Sequence, residues 1–157
     1  MKEKVYIETS FISFLTAQPS SDIHQMSRQI ESQQWWKYHR NQFELFASDS
    51  VLLEAAKGAP EAAKRRLEIL DEIYILDITT AARDLAGRLV APNLLPKNAS
   101  EDALHIAVCS IHGIDYLLTW NCKHLANAVI RRQVHHFLAD EGLASPEICT
   151  PFELLEK

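Results

Sequence analysis

The chain has 157 residues, enough for one globular core, with 47% hydrophobic and 24% charged residues, which excludes an extended disordered polymer. Its glycines, Gly58, Gly87, Gly113 and Gly142, stand alone, so neither a G-x-G-x-x-G dinucleotide fingerprint nor a P-loop can be written. The net charge of −5 argues against a sequence-independent DNA coat, which would be basic.

In chain order, Lys4–Glu8 (KVYIE) reads as a short strand, β-branched and aromatic, that ends at Thr9-Ser10. Ser10 is expected to cap a short helix to about Gln18, before Pro19. Ser21 or Asp22 then caps a long helix to about Asn41 that carries Trp35, Trp36 and Tyr38. Glu44–Ser48 is a second strand, and Ser50 is expected to cap a helix that carries Glu54 and ends at Gly58. Pro60 sits at the first position of a helix to Asp71, since its fixed φ suits N1. Glu72–Ile78 is a third strand, and Thr79 caps a helix to Val90. A Pro- and Asn-containing loop, 91–99, leads to a helix capped by Asn98 or Ser100 and closed at His112 by Gly113. Tyr116–Thr119 is a fourth strand, followed by a turn at 121–125 and a helix over 127–141. Ile148–Thr150 is a candidate edge strand, and 151–155 a terminal helical turn. Strands alternate with helices and are apolar throughout. The fold class expected is α/β: three layers, α/β/α, around a mostly parallel sheet of four to five strands, in one domain over 1–157.

Cys109, Cys122 and Cys149 are odd in number and lack a C-x-x-C, so they are read as reduced thiols, neither a disulfide framework nor a zinc ribbon. The charged opening Met1-Lys2-Glu3-Lys4 runs directly into a strand, and no run nears the roughly 18 apolar residues of a membrane span. A cytoplasmic protein is expected.

In parallel sheets, functional groups gather beyond the carboxyl ends of the strands. Glu8 ends the first strand, Glu54 follows the second, Asp102 opens the helix feeding the fourth, and Asn121 follows the fourth. Three carboxylates and an amide, distant in sequence, fall at one edge of the sheet. Hard oxygen donors of this kind suit Mg²⁺ or Mn²⁺ rather than zinc. The balance of −5 also splits unevenly: Tyr116 to Ala139 holds no acidic residue but carries Lys123, Arg131 and Arg132, and Lys64-Arg65-Arg66 forms a second basic run. Both are candidate phosphate contacts. No H-E-x-x-H or other zinc spacing is present, and His105 and His112 read as packed or surface groups. Trp35 and Trp36 read as packing or partner contacts, because adjacent side chains cannot both face one core.

Four segments carry a family resemblance: V-Y-I-E-T-S-F-I-S-F-L, S-D-S-V-L-L-E-A-A-K-G, S-E-D-A-L-H-I-A and L-L-T-W-N-C-K-H-L. In order and spacing they resemble the motifs of PIN-domain (PilT N-terminus) nucleases, and the chain is similar in length to VapC-type toxins of toxin–antitoxin pairs. The resemblance implies a metal-dependent endoribonuclease with catalytic and metal-holding positions at Glu8, Glu54, Asp102 and Asn121, supported by the hydroxyls of Thr9 and Thr119. It implies Mg²⁺ or Mn²⁺ as cofactor, and RNA, a small antitoxin and a second copy of the chain as partners. Two positions depart from the family pattern: Glu8 stands where Asp is usual, one methylene longer, and Asn121 stands where a fourth Asp is usual. These departures favour an alternative, a catalytically weakened PIN-like module that binds RNA or protein. A phosphatase with an Asp nucleophile is disfavoured, because Glu8-Thr9-Ser10 supplies no D-x-D.

Overall fold

The computed structural model describes residues 1–155; the last two positions of the expected 1–157 unit lie outside the described residues. Its centre is a five-stranded sheet of β1 (Lys4–Ile7), β2 (Glu44–Ser48), β3 (Tyr74–Leu76), β4 (Tyr116–Leu118) and β5 (Glu147–Cys149), in the order β3-β2-β1-β4-β5. All four pairings are parallel. Val5, Tyr6 and Ile7 are each 0% exposed, and successive strand residues point to opposite faces. Both faces of β1 are therefore covered, which is why these strands read as apolar runs rather than as alternating ones.

The covering helices are α1 (Thr9–Thr16), α2 (Ile23–Tyr38), α3 (Asp49–Ala55), α4 (Pro60–Leu70), α5 (Thr80–Leu89), α6 (Ser100–His112) and α7 (Ala128–Asp140). Helix α1 packs on α2, α3 and α4, and α5 packs along α6. Trp35 of α2 is buried, donates from its indole N–H to the Leu154 carbonyl at 2.8 Å, and meets Phe11 edge-on at 5.6 Å. Trp36, next to it, is only half-buried, with the Arg40 guanidinium 4.6 Å from its ring centroid. The pair divides between core and surface, as adjacent helical positions must.

Several boundaries shift from the sequence reading. Strand β1 stops at Ile7, and Glu8, not Ser10, caps α1: its carboxylate accepts the Ser10 N–H. Ser48 rather than Ser50 precedes α3, and Ala99 rather than Asn98 or Ser100 precedes α6. A 3₁₀ turn at Lys97–Ala99 leads straight into α6, so no extended residue is left there for a side-chain cap. Helix α2 ends at Tyr38 and passes into a 3₁₀ turn at Arg40–Gln42. Strands β3 and β4 are shorter than expected: β3 begins only at Tyr74, after a turn at Glu72 and a bend at Ile73, and ends at Leu76, and β4 ends at Leu118, although the Thr119 N–H still donates to the Cys149 carbonyl at 2.9 Å. Gly113 closes α6 as expected, in the left-handed region at φ 67°, where a side chain would be strained.

The connectivity locates a crevice. From β1 the chain winds one way through β2 and β3, then returns to place β4 and β5 on the other side. Neighbouring crossovers thus diverge at the carboxyl ends of β1 and β4, where open α/β sheets leave room for a ligand.

Candidate metal centre

Glu8 lies in that crevice, 6% exposed, directly beyond β1. Its backbone N–H extends the ladder by donating to the Leu118 carbonyl at 3.1 Å. Its carboxylate folds back onto the first turn of α1. Oε2 accepts the Ser10 N–H at 3.1 Å, and Oε1 accepts the Ser10 hydroxyl at 2.5 Å and the Thr119 hydroxyl at 2.6 Å. Both hydroxyls in turn accept backbone N–H groups, Ser10 from Trp120 and Thr119 from Asn121. The ends of β1 and β4 are thus tied through one carboxylate, and the N-terminal dipole of α1 favours its charge.

Glu54 reaches the same place from α3. Its Oε1 accepts the Thr9 hydroxyl at 2.5 Å and a hydrogen bond from His105 Nε2 at 3.1 Å. Burial pushes the Glu54 carboxyl up, but the hydrogen bond and charge of His105, with the Thr9 hydroxyl, bring it below its usual value. His105 is fully buried on α6, and its Nδ1 lies 2.6 Å from the Tyr6 hydroxyl. Burial opposes its charge, yet the bond to Glu54 and the charges of Glu8, Glu54 and Asp102 hold its pKa above the usual imidazole range.

Asp102 lies in the first turn of α6. Its Oδ1 accepts the Asn121 amide at 3.0 Å, and its Oδ2 lies 3.2 Å from His124 Nδ1. Burial and the charge of Glu8 raise its pKa, against the pull of His105 and His124. Asn121 is turn chemistry as well as site chemistry: its Oδ1 accepts the N–H groups of Lys123 and His124 at 3.2 and 3.1 Å. The structure therefore brings Glu8 and Glu54 close together, but their hydrogen bonds form two sets. Glu8 joins Ser10 and Thr119, and Thr119 accepts the N–H of Asn121, whose amide reaches Asp102; Glu54 joins Thr9 and His105.

The donor set fits a hard divalent cation. Among the described residues no Lys or Arg side chain is hydrogen-bonded to Glu8, Glu54 or Asp102; their direct partners are neutral donors and imidazoles, and the Lys57 charge adds a weaker pull on Glu54. Asp102 registers the resulting repulsion. Donor atoms of Glu8, Glu54 and His105 lie within 4.8 Å of one another.

The basic residues singled out in sequence divide in two. Arg65 donates to the Thr16 carbonyl, Arg66 to the Ala55 and Lys57 carbonyls, and Arg131 to the Ile148 carbonyl and Glu153. These three fasten one element to another. Lys64, Lys123 and Arg132 are exposed. The sequence reading passed over His105 and His124 as site residues. The signal was their offset of three from Asp102 and from Asn121, which in a helix or tight turn sets two side chains on one side.

The fold has counterparts among solved structures. VapC20 of Mycobacterium tuberculosis, a toxin that cleaves the sarcin–ricin loop, superposes with a TM-score of 0.60 at 17% identity, over 76% of this chain and 92% of its own. VapBC2 of Rickettsia felis, solved bound to a DNA fragment from their promoter, gives 0.51 at 14% identity, over 94% and 98%. The chain has the VapC fold. That is the PIN-type architecture its motifs resemble, and the five-stranded parallel sheet meets the expected fold class. No protein-family model matches the chain, and no curated protein matches it in sequence. Among the described residues no helix is long and apolar enough to cross a membrane.

Proposed function

We propose that the protein is a metal-dependent endoribonuclease, the toxin of a toxin–antitoxin pair, in which Glu8, Glu54, Asp102 and Asn121 form the catalytic and metal-holding set. The observation that carries this reading is the convergence of three carboxylates, from three separate elements, on the β1/β4 crevice without a Lys or Arg partner. Its likeness in fold to an RNA-cleaving toxin supports the choice of substrate. Glu8, Glu54 and Asp102 would hold Mg²⁺ or Mn²⁺, with Thr9, Thr119 and Ser10 fixing the carboxylates. When bound, such an ion lowers the pKa of water and stabilises charge on a phosphoryl group. The chain's own contribution is placement: Glu8 and Asp102 sit at helix starts and Glu54 in the last turn of α3 rather than on a long loop, so their positions are set before substrate arrives. Exposed Lys123, Lys64 and Arg132 are the cations free to meet RNA phosphates, and we assign Arg65, Arg66 and Arg131 a smaller share because each already holds the fold.

A small antitoxin is the proposed protein partner, in keeping with the VapBC2 assembly. A second copy of the chain is assigned to the apolar row on α2, where Ile23, Met26, Ile30 and Tyr38 are 72%, 39%, 44% and 63% exposed. The cytoplasm is the proposed compartment, where its three free thiols stay reduced.

The test is cleavage of structured RNA with Mg²⁺, Mn²⁺ or EDTA by wild type, Asp102→Ala and Glu54→Ala. We expect cleavage that EDTA abolishes and that either substitution lowers by roughly 10²-fold or more. Cleavage unchanged in EDTA, or in both variants, would overturn the reading. One observation favours the weakened-module alternative: Asn121 spends its carbonyl oxygen on the turn at Lys123 and His124. RNA binding without metal-dependent cleavage would select that alternative.

A further inference from the structure

Behind Glu54 runs a line of buried polar groups. Ser48, Tyr6 and His105 are each 0% exposed. Ser48 Oγ lies 2.7 Å from the Tyr6 hydroxyl, which lies 2.6 Å from His105 Nδ1, and His105 Nε2 lies 3.1 Å from Glu54 Oε1. A buried hydroxyl whose proton finds no acceptor costs about 1–3 kcal/mol, so every proton in this line needs a destination. The Ser48 side chain bonds to Tyr6, and the Tyr6 oxygen is the acceptor that bond offers. Once Ser48 donates to Tyr6, Tyr6 donates to Nδ1. Nδ1 then presents its lone pair, and the ring proton sits on Nε2, pointing at Glu54. The reverse neutral tautomer would set a bare Nε2 lone pair against a carboxylate oxygen at 3.1 Å and leave the Ser48 proton unplaced. In the imidazolium, too, Nε2 carries hydrogen.

We propose that His105 is a positioning residue and not a ligand: its Nε2–H, oriented by Tyr6 and Ser48, clamps Oε1 of Glu54 together with the Thr9 hydroxyl and leaves Oε2 as the oxygen offered to a cation. Nε2 is close enough to Glu8 and Glu54 to be taken for the third donor of a metal site. A nitrogen whose lone pair is replaced by a hydrogen bond to Glu54 cannot serve as one. The consequence for catalysis rests on the metal-nuclease reading; the tautomer and the clamp do not.

Long-range ¹H–¹⁵N spectra of the full-length protein at mildly alkaline pH read the tautomer. His105 is expected to show a protonated Nε2 and a bare Nδ1, unchanged on addition of Mg²⁺. A bare Nε2, or an Nε2 resonance that moves on adding Mg²⁺ as a coordinated nitrogen would, overturns the proposal. Tyr6→Phe removes the donor to Nδ1 and leaves Glu54 in place, so Nε2 is expected to stay protonated while the Nδ1 resonance moves to that of a nitrogen without a hydrogen bond; an unmoved Nδ1 resonance overturns the role given to Tyr6. Calorimetric titration with Mn²⁺ supplies the second readout. His105→Leu is expected to lose about 10–100-fold in affinity, the range for a partner that orients a ligand. His105→Gln, whose amide can donate to Oε1, is expected to recover most of that. Equal losses in two folded variants, or no loss in either, overturn the clamp. Neither readout needs RNA cleavage, so wild type that binds Mn²⁺ and cuts nothing defeats the nuclease reading alone.

Discussion

The two halves of the centre are built differently. The inner half, Glu8 and Glu54, is held by hydroxyls, a backbone N–H and a buried imidazole. The outer half, Asp102 with Asn121 and His124, stands on a helix start and a turn; its Asp102 side chain is 15% exposed against 25% for Glu54, so the halves differ in their partners and not in depth. The inner carboxylate Glu54 is stabilised in its charged form, whereas the outer one, Asp102, is strained in it. The contrast teaches that pre-organisation here is graded: the inner half is fixed by the fold, and the outer half is left with charge for a cation to relieve.

The largest effect should come from adding charge to the outer half. Asn121→Asp replaces the amide that donates to Asp102 Oδ1 by a second carboxylate. Without metal, thermal unfolding should shift down through like-charge repulsion; with Mn²⁺, affinity should rise on the order of tenfold, because one more anion faces the ion. Calorimetry showing weaker Mn²⁺ binding would erase the distinction between the halves.

A smaller effect, opposite in sign for the two halves, should appear in stability against pH in the metal-free protein. Asp102 has a folded pKa raised from 3.8, so its favourable contribution is complete below 3.8 and is lost as pH rises through the raised value. Asp102→Asn should therefore gain on wild type with rising pH. Glu54 has a folded pKa lowered from 4.5, so its contribution is present above 4.5 and is lost as pH falls through the lowered value. Glu54→Gln should be less stable than wild type near neutrality, with the gap closing in acid. Urea unfolding from pH 3 to 7 measures both, and curves of the same sign would break the comparison.

The smallest perturbation is chemical. Cys122 is exposed beside Asn121, while Cys109 and Cys149 are buried, and burial pushes the Cys149 thiol up to about 12. Mass spectrometry after brief iodoacetamide treatment of native protein should find Cys122 modified and the other two untouched until unfolding.

Much of this was legible in the sequence because it is local. The apolar strands, Pro60 at a helix start, Asp22 and Thr79 as caps and Gly113 as a terminator each act within a few residues. The candidate positions Glu8, Glu54, Asp102 and Asn121 were legible because parallel strands share one carboxyl edge. The roles of Tyr6, Ser48 and His105 were not. Tyr6 lies inside a strand and His105 inside an apolar helix, and both read as packing until 99 residues of intervening chain are folded away. Cap identity failed at α1 for a related reason. Ser10 is the better cap by local preference, but Glu8 is the residue whose carboxylate is also held by Thr119 from across the sheet.

That last bond has a consequence in time. Thr119 and Glu8 are 111 residues apart, and β1 gains its second neighbour only when β4 arrives. During synthesis the first two-thirds of the chain can pair β1 with β2 and β2 with β3, yet the crevice has one wall. Parallel pairings of such separation form late and slowly, since a long loop must close before any contact rewards it. The centre is therefore assembled among the last events of folding, and a nascent chain still short of β4 carries the acids of its first half without the pocket that would put them to use.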